Sequence, residues 1–182
     1  MAAGVRRRGV IALMAGLVLA ACASAPAAGP KPHADTEAAV LTLYLVRHAE
    51  KAAGEDPPLT EAGAARAAAL AARLKSNGLT EIWSTRTART QQTAVPVAAA
   101  TGLPIQTYDA ATLPAFASWL RETPGVKLVV GHSNTTNELA ALLGAEPGPP
   151  FDEAAEFDRL YVIRIDANGN VRSRIERYGA AG

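Results

Sequence analysis

Two stretches of the chain place a histidine directly after an apolar, β-branched run. Leu43-Tyr44-Leu45-Val46 ends in Arg47-His48-Ala49-Glu50, and about eighty residues later Lys127-Leu128-Val129-Val130 ends in Gly131-His132-Ser133-Asn134. Between them, Ser84-Thr85-Arg86-Thr87-Ala88-Arg89-Thr90-Gln91-Gln92-Thr93-Ala94 carries two arginines three residues apart. A neutral imidazole is a nucleophile or proton carrier near neutral pH, its unperturbed pKa being about 6.5. A guanidinium is always charged, and its planar fork of donors matches a phosphate or carboxylate. Gathered in one pocket, these groups suit binding of an oxyanion and attack on it. Either histidine alone would more often be a core residue satisfied by backbone carbonyls; two at strand ends, with arginines beside them, argue for a site. A zinc centre is disfavoured, because the folded part has no third histidine and Cys22 is the single cysteine, so three protein ligands would need scattered carboxylates. No metal or other cofactor is expected.

The elements that must position these residues follow from the hydrophobic pattern. Residues 41–46 read as a central parallel strand, apolar almost throughout. Asp56-Pro57-Pro58 breaks the chain, and Thr60 caps a helix that runs through Arg66, Leu70 and Leu74 to the stop signal Asn77-Gly78. Residues 81–83 form a short strand, and 87–100 a helix in which Pro96 is expected to kink the chain or mark a restart. Strands at 105–108 and 126–130 alternate with helices at 113–121 and 134–143. Residues 160–165 and 171–177 alternate polar and apolar positions around Asn168-Gly169, the strongest hairpin signal in the chain. The order predicts an α/β fold: three layers, α/β/α, with a doubly wound, mostly parallel sheet and an antiparallel C-terminal strand or hairpin. Ligands of such sheets sit beyond the carboxyl ends of the strands, near helix N-termini, which puts His48 and His132 on one side.

The first residues read as an export signal. Arg6-Arg7-Arg8 is a positive segment, an apolar stretch spans residues 10–19, and Leu19-Ala20-Ala21-Cys22 follows at once. The apolar stretch is shorter than the roughly twenty residues that span a bilayer. Residues 1–21 are therefore expected to be a signal peptide, 22–38 a flexible tether rich in Ala, Pro and Gly, and 39–182 the folded domain. Eighteen Lys and Arg against seventeen Asp and Glu leave no field to favour nucleic acid.

Four motifs in order resemble the histidine phosphatase superfamily, also called phosphoglycerate-mutase-like: residues 45–50, 59–63, 84–94 and 129–135. The resemblance implies that His48 attacks phosphorus and is transiently phosphorylated. It also implies that Arg47, Arg89 and His132 hold the phosphoryl oxygens. Asp109, just past the third strand, is the best-placed general acid and Glu50 the second. Arg86, Glu50, Ser133 and Asn134 are further candidates for substrate contact, although Arg86 suits a position facing water equally well, and Ser133 and Asn134 also suit a helix cap. Leu-Ala-Ala-Cys resembles the lipobox of bacterial lipoproteins, implying a lipid anchor on Cys22 in the cell envelope, at the outer membrane and facing the periplasm. The partners expected are thus the membrane and a small phosphorylated substrate.

The reading that results is a phosphatase acting on phosphomonoesters. A mutase is disfavoured for an exported chain. A phosphohistidine protein phosphatase, and a catalytically silent phosphate-binding envelope lipoprotein, stay open. Specificity is expected from residues 52–58, 109–113 and 144–156; the last, with four acids from Glu146 to Glu156, would repel highly anionic substrates and act as a lid or a rigid connection.

Overall fold

In the computed structural model, which describes residues 40–180, the apolar run forms strand β1, Leu41–Arg47, with side chains alternating between two cores. Leu41, Leu43 and Leu45 enter one core, and Tyr44 and Val46 the other. A strand that buries both faces reads as continuously apolar, which is why it lies centrally. It is followed by α1 (Glu61–Leu74), β2 (Glu81–Ser84), α2 (Ala88–Thr101), β3 (Ile105–Thr107), α3 (Leu113–Glu122), β4 (Gly125–Gly131), α4 (Ser133–Leu142), β5 (Arg159–Ile165) and β6 (Val171–Arg177). The sheet order is β3-β2-β4-β1-β5-β6. The first four of these run parallel, and β5 and β6 are antiparallel additions.

The β1 and β4 strands pair in parallel, with Arg47 opposite Gly131, so both histidines emerge at the same sheet edge. The core containing Leu70, Leu74, Ala94 and Val97 lies between the sheet and α1 and α2; that containing Phe116, Leu120, Leu139 and Leu143 lies between the sheet and α3 and α4. The three-layer arrangement follows.

Thr60 caps α1 as expected, its side chain accepting from Gly63 N at 3.1 Å. Helix α2 continues through Pro96 without a restart, and Gly102 ends it with φ 74°. A 3₁₀ turn over Ala110–Thr112, absent from the sequence reading, leads into α3. The hairpin turn is built on Asp166, whose Oδ1 accepts from the main chain of Asn168 and Asn170 at 2.9 Å each, while Gly169 takes φ 82°. The expected signal peptide and tether, which include Cys22 and His33, lie outside the described residues.

Candidate active site

His48 follows β1 directly and is 4% exposed. Its main-chain N–H donates to Gly131 O at 2.9 Å, which ties its backbone to the end of β4. Its Nδ1 lies 2.8 Å from Ala49 O. A carbonyl only accepts, so Nδ1 carries the proton and the lone pair of the neutral ring sits on Nε2. Burial first, then the charges of Arg47 and Arg89, lower its pKa to about 4, against the opposing effect of the Ala49 hydrogen bond. The ring is neutral at physiological pH.

His132 lies with its ring centre 5.6 Å from that of His48, edge to face. Its Nδ1 is 3.3 Å from Arg89 Nη2 and its Nε2 3.1 Å from Thr85 Oγ1. Arginine only donates, so Nδ1 accepts and Nε2–H points to Thr85. Thr85 Oγ1 in turn meets Thr90 Oγ1 at 2.9 Å. Burial followed by Arg89 and Arg47 holds the pKa of His132 at about 4 as well.

Each arginine keeps one buried donor unused. Arg47, 4% exposed, gives its four terminal N–H groups to residues 152–156. Nη1 donates to Asp152 O at 3.4 Å and Glu156 O at 3.1 Å, and Nη2 to Glu153 O at 3.0 Å and Glu153 Oε2 at 2.9 Å. Its guanidinium also stacks on Phe157, 4.2 Å from the ring centre. Arg47 Nε is buried without a partner, and so is Arg89 Nε. Buried polar groups are nearly always satisfied, and two orphan cationic donors beside a neutral imidazole form a receptor for an oxyanion.

The motif residues around them are positioning groups. Thr93 Oγ1 accepts from Ala49 N at 3.0 Å and donates to Arg89 O at 2.7 Å, linking the loop after β1 to α2. Gln92 Oε1 accepts from Leu59 N at 2.7 Å, and Gln91 Nε2 donates to Thr85 O at 2.7 Å. Gly131 is required by crowding, since a Cβ there would stand 2.7 Å from Tyr108 Oη and 2.8 Å from Thr135 Oγ1.

The other sequence candidates fall differently. Glu50 points into a buried ion pair: Arg66 Nη2 meets Oε1 at 2.7 Å, and the same arginine holds Tyr178 O and Ala180 O. Although burial opposes it, hydrogen bonding from Arg66 lowers the Glu50 pKa, so the carboxylate is ionised and does not join the histidine cluster. Asp109 and Arg86 are exposed and line, with His132, Tyr108 and Thr85, a cleft of about 620 Å³. Asp109 Oδ1 accepts from Ala111 N at 2.9 Å, capping the 3₁₀ turn. Ser133 opens α4 and Asn134 is exposed; no side-chain hydrogen bond ties either to the four central groups.

Residues 144–158 form a pinned strap. Arg159, 2% exposed, donates to Glu156 Oε1 at 2.8 Å and Oε2 at 2.6 Å and to Pro149 O at 2.7 Å. Tyr161 Oη lies 2.7 Å from Asn137 Oδ1. The acidic segment is thus tied down by Arg159, and its carbonyls seat Arg47. Neither Glu153 nor Phe157 was a sequence candidate, since the strap has no period and its contacts with Arg47 run largely through backbone oxygens. Thr85 was within a recognised motif, but its link to His132 was not foreseen. Among the described residues no group of three or more His, Cys, Asp or Glu is placed to hold a metal.

Residues 43–119 match the family model described as histidine phosphatase superfamily (branch 1). A curated relative, "Probable phosphoglycerate mutase GpmB" of Yersinia pestis (strain Pestoides F), is 42% identical over 76 residues, 37% of this chain and 35% of its own length. The match therefore spans about a third of that relative. The solved structure of the protein histidine phosphatase SixA complexed with tungstate aligns with TM-score 0.61 and 20% identity, over 75% of this chain and 97% of its own. A mycobacterial glucosyl-3-phosphoglycerate phosphatase aligns with TM-score 0.58 and 16% identity, over 78% and 99%. At these identities the structural likeness is one of fold.

Proposed function

We propose that this chain is a member of the histidine phosphatase superfamily, whose model it matches over residues 43–119, and that it hydrolyses phosphomonoesters through a phosphohistidine on His48. The observation that carries this reading is the buried, neutral His48 with its Nε2 lone pair free, set beside two buried guanidinium N–H groups that lack partners. Nε2 forms a bond to phosphorus as the ester P–O bond breaks, and the leaving oxygen takes a proton. Water then attacks the phosphohistidine, releasing inorganic phosphate and restoring the imidazole. Nε–H of Arg47, Nε–H of Arg89 and His132 stabilise the charge on the transferring group; such donors are commonly worth on the order of 3 kcal/mol each. An incoming dianion offsets the desolvation of His132 and favours its protonated, donating form.

Phosphohistidine or another phosphoramidate is the second substrate reading. Glu50 is committed to Arg66 and Asp109 caps a turn, which favours a leaving group that brings its own proton. Asp109, on the wall of the cleft with His132, remains the best-placed donor for an ester oxygen. The envelope location belongs to the proposal too: the signal sequence and Leu19-Ala20-Ala21-Cys22 support a lipid on Cys22, and Cys22→Ala should move the protein from the membrane to the soluble fraction.

The test is hydrolysis of an aryl phosphate by the native protein and by His48→Ala, with a rapid acid-free quench to trap an alkali-stable phosphoenzyme. Turnover and labelling that both vanish in His48→Ala support the mechanism. Equal inactivity of the two proteins, with phosphate still bound, would leave a binding protein in its place.

A further inference from the structure

The charges around the phosphoryl site are arranged to accept one anionic group and to discourage a second. The Arg47 guanidinium is met by Glu153 Oε2 at 2.9 Å, and that of Arg89 by Asp56 Oδ1 at 3.7 Å. Before a ligand enters, both imidazoles are neutral, and the two guanidinium charges of the centre are matched one for one. Neither carboxylate is buried: the Glu153 side chain is 68% exposed and that of Asp56 55%. Each lies against one of the two guanidinium groups on its solvent-exposed side, while the unpartnered Nε–H donors of the same arginines are buried. Asp109 and Arg86, one carboxylate and one guanidinium, line the cleft beside His132. Asp152 and Glu156 also lie close enough to Arg47 to act on its charge.

Directed N–H donors are thus available to a phosphoryl group, while the charges of Arg47 and Arg89 are already matched by exposed carboxylates, and Arg86 in the cleft is matched by Asp109. We infer that the substrate carries its phosphoryl group as its sole anionic group, on a leaving group that is neutral or cationic. This rests on the phosphoryl-transfer reading above and narrows its substrate class. Phosphoramidates with a protonated nitrogen and phosphorylated amino alcohols fall inside the class; bisphosphates and phosphorylated hydroxy acids fall outside it.

The strap does not depend on the Glu153 carboxylate. Three of the four hydrogen bonds from the Arg47 terminal nitrogens go to backbone carbonyls, and a glutamine at 153 can still accept the fourth. Glu153→Gln thus removes a rim charge while leaving the Arg47 seat in place.

The experiment uses the full chain carrying His48→Ala, so that esters bind without turnover, and measures Kd by calorimetry for phosphoethanolamine, glycerol 3-phosphate and 3-phosphoglycerate. All three are primary alkyl phosphates, differing in the charge of the leaving group. Binding should weaken in that order, by roughly threefold to tenfold per step at low ionic strength, the scale of one exposed charge acting across a solvated rim. The steps should shrink at 0.5 M salt, where screening sets in within a few ångströms. Adding Glu153→Gln should bring the anionic and cationic esters closer by about threefold. Three equal affinities, tightest binding of 3-phosphoglycerate, or a ratio untouched by Glu153→Gln would overturn the inference. Failure of the parent protein to hydrolyse any ester while the order of affinities holds would overturn the hydrolytic reading instead. Loss of all binding, inorganic phosphate included, would overturn both.

Discussion

The fold keeps two imidazoles neutral, and that has a measurable cost in acid. In the unfolded chain His48 titrates near its ordinary 6.5, whereas in the folded protein burial and the neighbouring arginines hold it at about 4. Between these values the unfolded chain binds a proton that the folded protein refuses. Stability is therefore independent of this group above pH 6.5 and falls as pH drops towards 4, where the loss levels off. Each pKa unit corresponds to about 1.4 kcal/mol, so the acid limit for His48 is about 3 kcal/mol and the loss by pH 5 about 2 kcal/mol. His132 acts in the same direction, by less because it is more open to solvent.

Carboxylates do not mimic this in the same window. Glu50, Glu156 and Glu176 have folded pKa values below their ordinary 4.5, so their stabilisation persists at pH 5 and is lost only as pH falls towards the lowered values. Urea unfolding at pH 7.5 and pH 5, followed by the fluorescence of Trp83 and Trp119, isolates the imidazole contribution. Native protein should lose roughly 2 kcal/mol more over that interval than His48→Gln. Parallel losses in the two proteins would refute the argument that the folded state excludes the proton from His48.

Other substitutions separate structural from chemical roles. Glu50→Gln leaves the buried Arg66 without its counter-charge and should destabilise by about 3 kcal/mol in urea, while kcat on an aryl phosphate stays within about threefold. A hundredfold fall in kcat would make Glu50 a proton donor after all. Gly63→Ala pushes a methyl group to 2.1 Å from Glu50 O, and the displaced first turn of α1 should cost about 3 kcal/mol, read as a lowered Tm. Inorganic phosphate at one hundred times its Kd should raise stability by about 2.7 kcal/mol. That gain should largely disappear in Arg89→Ala, which removes one of the two buried unpartnered donors.

The parts of the site legible in the sequence are those set by period and position. His48 and His132 were readable because apolar strands stop at them, and the parallel order of β1 and β4 then brings both to one edge. Thr60 was readable as a cap, but the need for Gly63 was not, since the obstacle is a carbonyl thirteen residues earlier in the chain. Arg66, as the partner of Glu50, was equally hidden: the helical pattern places it on the buried face of α1 without saying what it meets. Asp109 shows the converse. An aspartate followed by two residues whose amides it can cap is a local signal, and the Ala111 bond expresses it.

Arg47 is the instructive divergence, because the expected fork on the phosphoryl oxygens is spent on a strap that no motif announces. Four backbone and side-chain oxygens from residues 152–156 take its terminal N–H groups and leave Nε–H alone for a ligand. Backbone carbonyls have no sequence signature, so this division of one side chain between structure and binding is visible only once the chain is folded. It also links the two functional arguments. The segment that fixes the direction of Arg47 Nε–H also carries Glu153, so on the proposed reading affinity for one anion and resistance to a second would arise from the same seat.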